Sequence, residues 1–100
     1  MVPTRLDPAM RAQVLAIASA AERQLGLAEC QIAIVVHASE SGVYELAIAC
    51  DRHPELIRAM RRAFPRRTDG RLRATIGPFG DLNLVNVTAA DVASATGRLG

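Results

Sequence analysis

Residues Ile32–Cys50 read IAIVVHASESGVYELAIAC, two apolar runs joined by a polar tip. Glu40-Ser41-Gly42 fits a three-residue hairpin loop with glycine in the left-handed position. Such a loop pairs Ser39 with Val43, and alternation sets every pair beyond it. One face then carries Ile32, Ile34, Val36, Ala38, Tyr44, Leu46, Ile48 and Cys50. The other carries Gln31, Ala33, Val35, His37, Glu45, Ala47, Ala49 and Asp51. A slip of one residue on one strand would mix the two sets, so the buried face selects this register.

The flanking segments read as helices. Asp7-Pro8 is a strong start, with Asp7 as N-cap and proline at the first helical position, where a missing N–H costs nothing. Met10, Val14, Ile17, Ala18, Ala21 and Leu25 recur on one face, and Gly26 is a stop, giving a helix over Pro8–Leu25. Past the hairpin, Asp51-Arg52-His53-Pro54 starts a second helix, with His53 at the N-cap. Its buried stripe is Leu56, Ile57, Met60, Ala63 and Phe64. Arg58, Arg61 and Arg62 take the solvent side, and Pro65 ends the helix.

A second hairpin joins Arg71–Ile76 to Leu82–Val87. Its tip, Pro78-Phe79-Gly80, repeats the first geometry, with Gly77 facing Asp81. Leu72, Ala74, Ile76, Leu82 and Leu84 share one face. Thr88-Ala89-Ala90-Asp91 resembles a capping box, with aspartate in place of the usual glutamate. It opens a short helix through about Thr96. The order is helix–hairpin–helix–hairpin–helix, αββαββα. The economical packing is a two-layer α+β sandwich with a mostly antiparallel four-stranded sheet.

The chain has 100 residues, half of them hydrophobic, which makes one domain over residues 1–100, with 1–6 and 97–100 loose. Aromatic residues are scarce, so the core is aliphatic. No apolar run approaches the roughly 20 residues that span a bilayer, so no membrane partner is expected. Pro3, Arg5, Asp7, Pro8 and Arg11 stand where a signal peptide would be apolar. The expected location is the cytoplasm, with reduced thiols at Cys30 and Cys50.

The tightest set of reactive residues is Cys50-Asp51-Arg52-His53. A thiol near an imidazole is the ingredient of a cysteine nucleophile. However, Cys50 ends a buried strand, where free cysteine behaves as a small hydrophobe. A metal site would draw on Cys30, Cys50 and His53, but the two cysteines sit diagonally, with Cα atoms roughly 7–8 Å apart. Three ligands of mixed reach make a weak zinc set without a fourth. Asn86-Val87-Thr88 matches the glycosylation triplet, which carries no meaning in a chain read as cytoplasmic. No catalytic residue, metal or cofactor is expected, and the reading is non-enzymatic.

Every basic residue is arginine, the bias that a GC-rich genome produces, and the formal charge is only +2. Locally, Arg58, Arg61, Arg62, Arg66, Arg67, Arg71 and Arg73 are opposed only by Asp69. Such a cluster can bind phosphates by counterion release, or meet an acidic protein surface. The other unusual surface is the open sheet face. Its expected centre is Ala33, Val35, Ala47, Ala49, Val85 and Val87, rimmed by His37, Glu45, Asp51, Arg71 and Arg73. A solvated antiparallel face normally alternates to polar residues. An apolar centre with a charged rim suits an interface.

Three functions follow from these surfaces. The first is a small binding module docking on a partner protein, an inhibitor or adaptor of mobile-element origin, or pairing with a second copy as a homodimer. The second is nucleic-acid binding through the Arg58–Arg73 cluster. Against it, no aromatic residue stands on the open face to stack bases. The third is an enzyme using Cys50 and His53.

Overall fold

A computed structural model describes residues 5–27, 31–39, 41–50, 53–64 and 71–99, with side-chain burial from residue 6 onward. Its elements in chain order are β1 (Arg5–Leu6), α1 (Pro8–Leu25), β2 (Ile32–Ala38), β3 (Tyr44–Cys50), α2 (Pro54–Ala63), β4 (Arg73–Ile76), β5 (Leu82–Val87) and α3 (Ala89–Leu99). The expected αββαββα order and four-stranded antiparallel sheet are present. The two-residue β1 widens the sheet to five strands in the order β1-β2-β3-β5-β4. Within the two ends expected to be loose, Arg5 and Leu6 pair with Ala38 and His37, and α3 runs beyond Thr96 to Leu99.

The first hairpin has the register that its loop demands, from Ile32↔Cys50 to Ala38↔Tyr44. The Ser39 N–H donates to Val43 at 3.0 Å, and Gly42 has φ 80°. The second hairpin repeats it, with Gly77 N–H donating to Asp81 at 2.8 Å and Gly80 at φ 80°. Each tip thus needs the one residue type that enters the left-handed region without steric cost.

Helix α1 starts as its sequence dictates. The Asp7 carboxylate accepts from the Met10 N–H at 2.9 Å, and proline follows. The same turn is tied to the sheet. Asp7 N–H donates to the Val36 carbonyl at 3.1 Å, and Arg11 Nε to that of Ile34 at 2.9 Å. With β1, these bonds occupy the outer edge of β2, which would otherwise offer unpaired carbonyls to another strand. Helix α2 ends at Ala63, and Phe64, which precedes Pro65 in the sequence, turns extended at φ −92°, ψ 106°. Helix α3 carries the reciprocal capping box. The Thr88 N–H donates to Asp91 at 2.8 Å, and Asp91 N–H to the Thr88 hydroxyl at 3.1 Å.

All three helices cover the same face of the sheet. Between the layers lie Val14, Ile17, Ile34, Val36, Leu46, Ile48, Leu56, Met60, Leu82, Leu84 and Val92, each at most 3% exposed. Three residues depart from the expected stripes. Leu25 is 39% exposed at the end of α1, and Ile76 is 50% exposed on β4, the edge strand of the sheet among the described residues. Val87, placed on the open face by alternation, is fully buried. Its displacement has a clear cause. Leu46 pairs with Leu84 but Tyr44 with Val87, so β5 holds one extra residue between them. Asn86 sits in that bulge at φ 60°, and its amide donates to the Arg71 carbonyl at 2.9 Å. The extra residue reverses the phase of the strand and turns Val87 into the core.

Candidate docking surface

With all three helices on one side, no covering layer lies on the opposite side of the sheet among the described residues. Pairing places its residues in rows. Val35, Ala47, Asn83 and Thr75 form the central row, because Val35 pairs with Ala47, Ala47 with Asn83 and Asn83 with Thr75. The row towards the first hairpin tip begins with Leu6, His37 and Glu45 and ends on Arg73 paired with Val85. The row on the other side begins with Ala33 and Ala49.

This layout corrects the expected apolar centre. Val87 has left it for the core. Asn83, passed over in the sequence, stands in the middle, its amide donating to the Asp81 carboxylate at 2.8 Å. The face is therefore divided. On β1, β2 and β3 it is apolar: Leu6 is 65% exposed, Val35 is 42% exposed, Ala33 and Ala49 are exposed, and Ala47 is half-buried. On β5 and β4 it is polar, through Asp81, Asn83, Thr75 and Arg73, with Val85 half-buried among them.

The apolar half continues past the end of the strands. Phe79 is 95% exposed at the tip of the second hairpin, and it borders a recess of about 560 Å³ with Ala33, Ala49, Ile32, Cys50 and the polar Gln31. A strip of apolar side chains thus runs diagonally from Leu6 through Val35 and Ala33 to Phe79. Pairs of rows stand about 6.6 Å apart along a strand, so the strip spans on the order of 13 Å before the phenyl ring is added. The chain's numbering hid this. The available signal was a phenylalanine in a turn, where a side chain has nothing to pack against.

The described members of the arginine cluster do not share one surface. Arg58, Arg61 and Arg62 are exposed on α2, in the helix layer. Arg73 precedes the inward Ala74, which pairs with the buried Leu84, so it lies on the other side of the sheet. Arg71 is exposed beyond the buried Leu72, in the same phase as Arg73. Arg66 and Arg67 lie outside the described residues, as does Asp69.

The thiol and imidazole are also accounted for. The Cys50 thiol is partly buried against the core edge. His53 occupies the N-cap position of α2 without capping it; its Nδ1 instead meets Glu55 Oε1 at 3.1 Å. Hydrogen bonding from its own backbone N–H, and then from His53, holds the Glu55 carboxyl below its ordinary 4.5. Cys30, Asp51 and Arg52 lie outside the described residues. Among the described residues no group of three or more histidine, cysteine or acidic side chains is placed to hold a metal ion. Among them, too, no helix is long and apolar enough to cross a membrane.

The architecture is that of an open-faced α+β sandwich, one side of its sheet packed and the other bare. Neither a protein-family model, nor a curated protein, nor a solved structure matches the chain.

Proposed function

We propose that the protein is a small non-enzymatic binding module that docks on a partner protein through the open face of its sheet. The observation that carries this is the uncovered apolar strip from Leu6 to Phe79. Single exposed apolar residues are ordinary, but a contiguous run of them ending in a bare phenylalanine marks an interaction surface. His37, Glu45 and Arg73 give it a polar rim. A cytoplasmic location and an inhibitor or adaptor role go with this reading.

Size sets the kind of complex. Four gaps of about 4.8 Å between five strands and some six steps of about 3.3 Å along them give a plane of roughly 400 Å². A buried phenylalanine adds about 150–250 Å². That sum falls below the roughly 800 Å² per partner of a standard interface, so the module belongs with small, reversible complexes. Phe79 is its natural anchor. A second copy of the chain is the alternative occupant.

The second reading, nucleic-acid binding, draws on the arginines. Their division between the helix layer and the open face weighs against one phosphate-tracking stripe. The test uses a tagged protein purified from its native cell, with three variants. Ala47→Glu introduces a charge in the centre of the apolar half and abolishes co-purification of the partner, as does Phe79→Ser at its end. Replacing Arg61, Arg62, Arg66 and Arg67 by glutamine mostly slows association. Tight binding to a random oligonucleotide at physiological salt, lost in the glutamine variant and kept in Ala47→Glu, would overturn the proposal. A dimer in solution that Ala47→Glu dissociates would identify the partner as a second copy.

A further inference from the structure

The end of the molecule where the helices terminate carries a separate surface. The last turns of α1, α2 and α3 meet around a recess of about 420 Å³. Its floor is alanine: Ala21, Ala59 and Ala63, all buried. Small side chains at these positions leave the space that larger ones would fill. Leu25 and Leu99 form apolar walls, and Arg62 and Arg98 stand at the rim. The geometry is held by Gln24, whose amide donates to the Leu99 carbonyl at 2.6 Å and ties α1 to α3.

The arginines have one structural duty here. Each helix C-terminus carries roughly half a negative charge, so three together amount to roughly −1.5. Arg23, Arg61, Arg62 and Arg98 lie in those last turns, and Glu22 is the acidic residue among the described neighbours. Among the described residues, the four arginines less the dipoles and Glu22 leave roughly one and a half positive charges at this end. Arg62 and Arg98 are exposed, and among the described residues no carboxylate pairs with either.

We propose that this recess binds an acidic protein segment. One aliphatic side chain of the segment sits on the alanine floor, and carboxylates flanking it pair with Arg62 and Arg98. The planar guanidinium fork matches a carboxylate with two parallel hydrogen bonds. Aliphatic lining favours a protein over a nucleic acid, since single strands are held by aromatic stacking platforms and none borders this recess. The inference is independent of the open sheet face, which lies on the other side of the sheet from all three helices.

The probe is a fluorescein-labelled peptide, Glu-Asp-Glu-Leu-Leu-Glu-Asp-Glu, titrated by anisotropy at physiological salt. The expected result is saturable binding that weakens at least about tenfold in the Arg62→Gln/Arg98→Gln protein, because both charge-assisted arginine–carboxylate pairs are lost. Replacing the two peptide leucines by serine weakens binding to the unchanged protein by a similar factor. Amide NMR shifts fall on residues 21–25, 59–63 and 98–99. The proposal is overturned by no binding up to about 1 mM, where affinity is already only some 4 kcal/mol. It is equally overturned if the double variant binds as wild type, if the serine peptide binds as tightly, or if a random single-stranded oligonucleotide displaces the peptide. Shifts confined to Val35 and Ala47 would assign the peptide to the sheet face and overturn it too.

Discussion

Asn86 offers the sharpest perturbation of the fold, because a single residue there decides which side of the sheet Val87 occupies. Its φ of 60° is the left-handed region, open to glycine, tolerated by asparagine and costly for alanine. Asn86→Ala and Asn86→Gly both delete the amide that donates to Arg71. They share that loss, about 0.5–1.5 kcal/mol. They differ in backbone. Alanine in this conformation costs about 1–2 kcal/mol, partly offset by the roughly 0.5–1 kcal/mol that glycine loses in ordering. The alanine protein is therefore the less stable by about 1 kcal/mol. The bulge itself survives, since flattening it would expose a valine whose burial contributes about 1.5–3 kcal/mol. Urea unfolding of the two variants measures the difference directly, and heating should separate their midpoints by about 4–8 °C. Equal stability of the alanine and glycine proteins would refute the left-handed bulge, and with it the inward position of Val87.

Further expectations concern the tips, a cap and a carboxyl. Alanine at Gly42 or Gly80 destabilises by roughly 1 kcal/mol or more, read as a lower urea midpoint; two unchanged midpoints would remove the loop geometry that sets both hairpin registers. Thr88→Ala and Asp91→Ala each cost about 1 kcal/mol, and the double variant costs less than their sum, because the two side chains cap each other's N–H. Full additivity would argue against the reciprocal box. The Glu55 carboxyl lies lower in the folded than in the unfolded protein, so its contribution is present above about pH 4.5 and fades as pH falls through the lowered value. Glu55→Gln should accordingly cost more stability at pH 6 than in acid, the difference shrinking as pH falls through the lowered value; a difference that stays constant as pH falls would contradict the assignment.

Both hairpins were legible in the sequence because two signals agree in each: a glycine three residues into the turn, and an alternation that a slip would spoil. The helix starts were legible as well, since Asp7-Pro8 joins a cap to an apolar stripe and Thr88–Asp91 spells a capping box. The bulge was not. Asparagine in the left-handed region looks, in sequence, like any polar residue on a solvated strand face, and Val87 followed it to the wrong side. The docking surface was half legible. Val35 and Ala47 follow from the first register alone. Leu6 needed β1, a two-residue strand below the length at which periodicity speaks. Phe79 was read only as part of a turn. Arg62 and Arg98 stand 36 residues apart in the chain, and only the packing of all three helices on one face brings their last turns to one recess.

The open sheet face is the centre of the functional proposal, and photo-crosslinking tests it most directly. A benzoylphenylalanine placed at Ala47 reports on the open face, and one at Arg58 reports on the helix layer, within the same fold. Irradiation in the native cell should join Ala47 to a protein, in a band that Phe79→Ser removes, while Arg58 gives none of that band. Cross-links to nucleic acid from either position, or the same protein captured only from Arg58, would contradict the assignment of the open face as the docking surface.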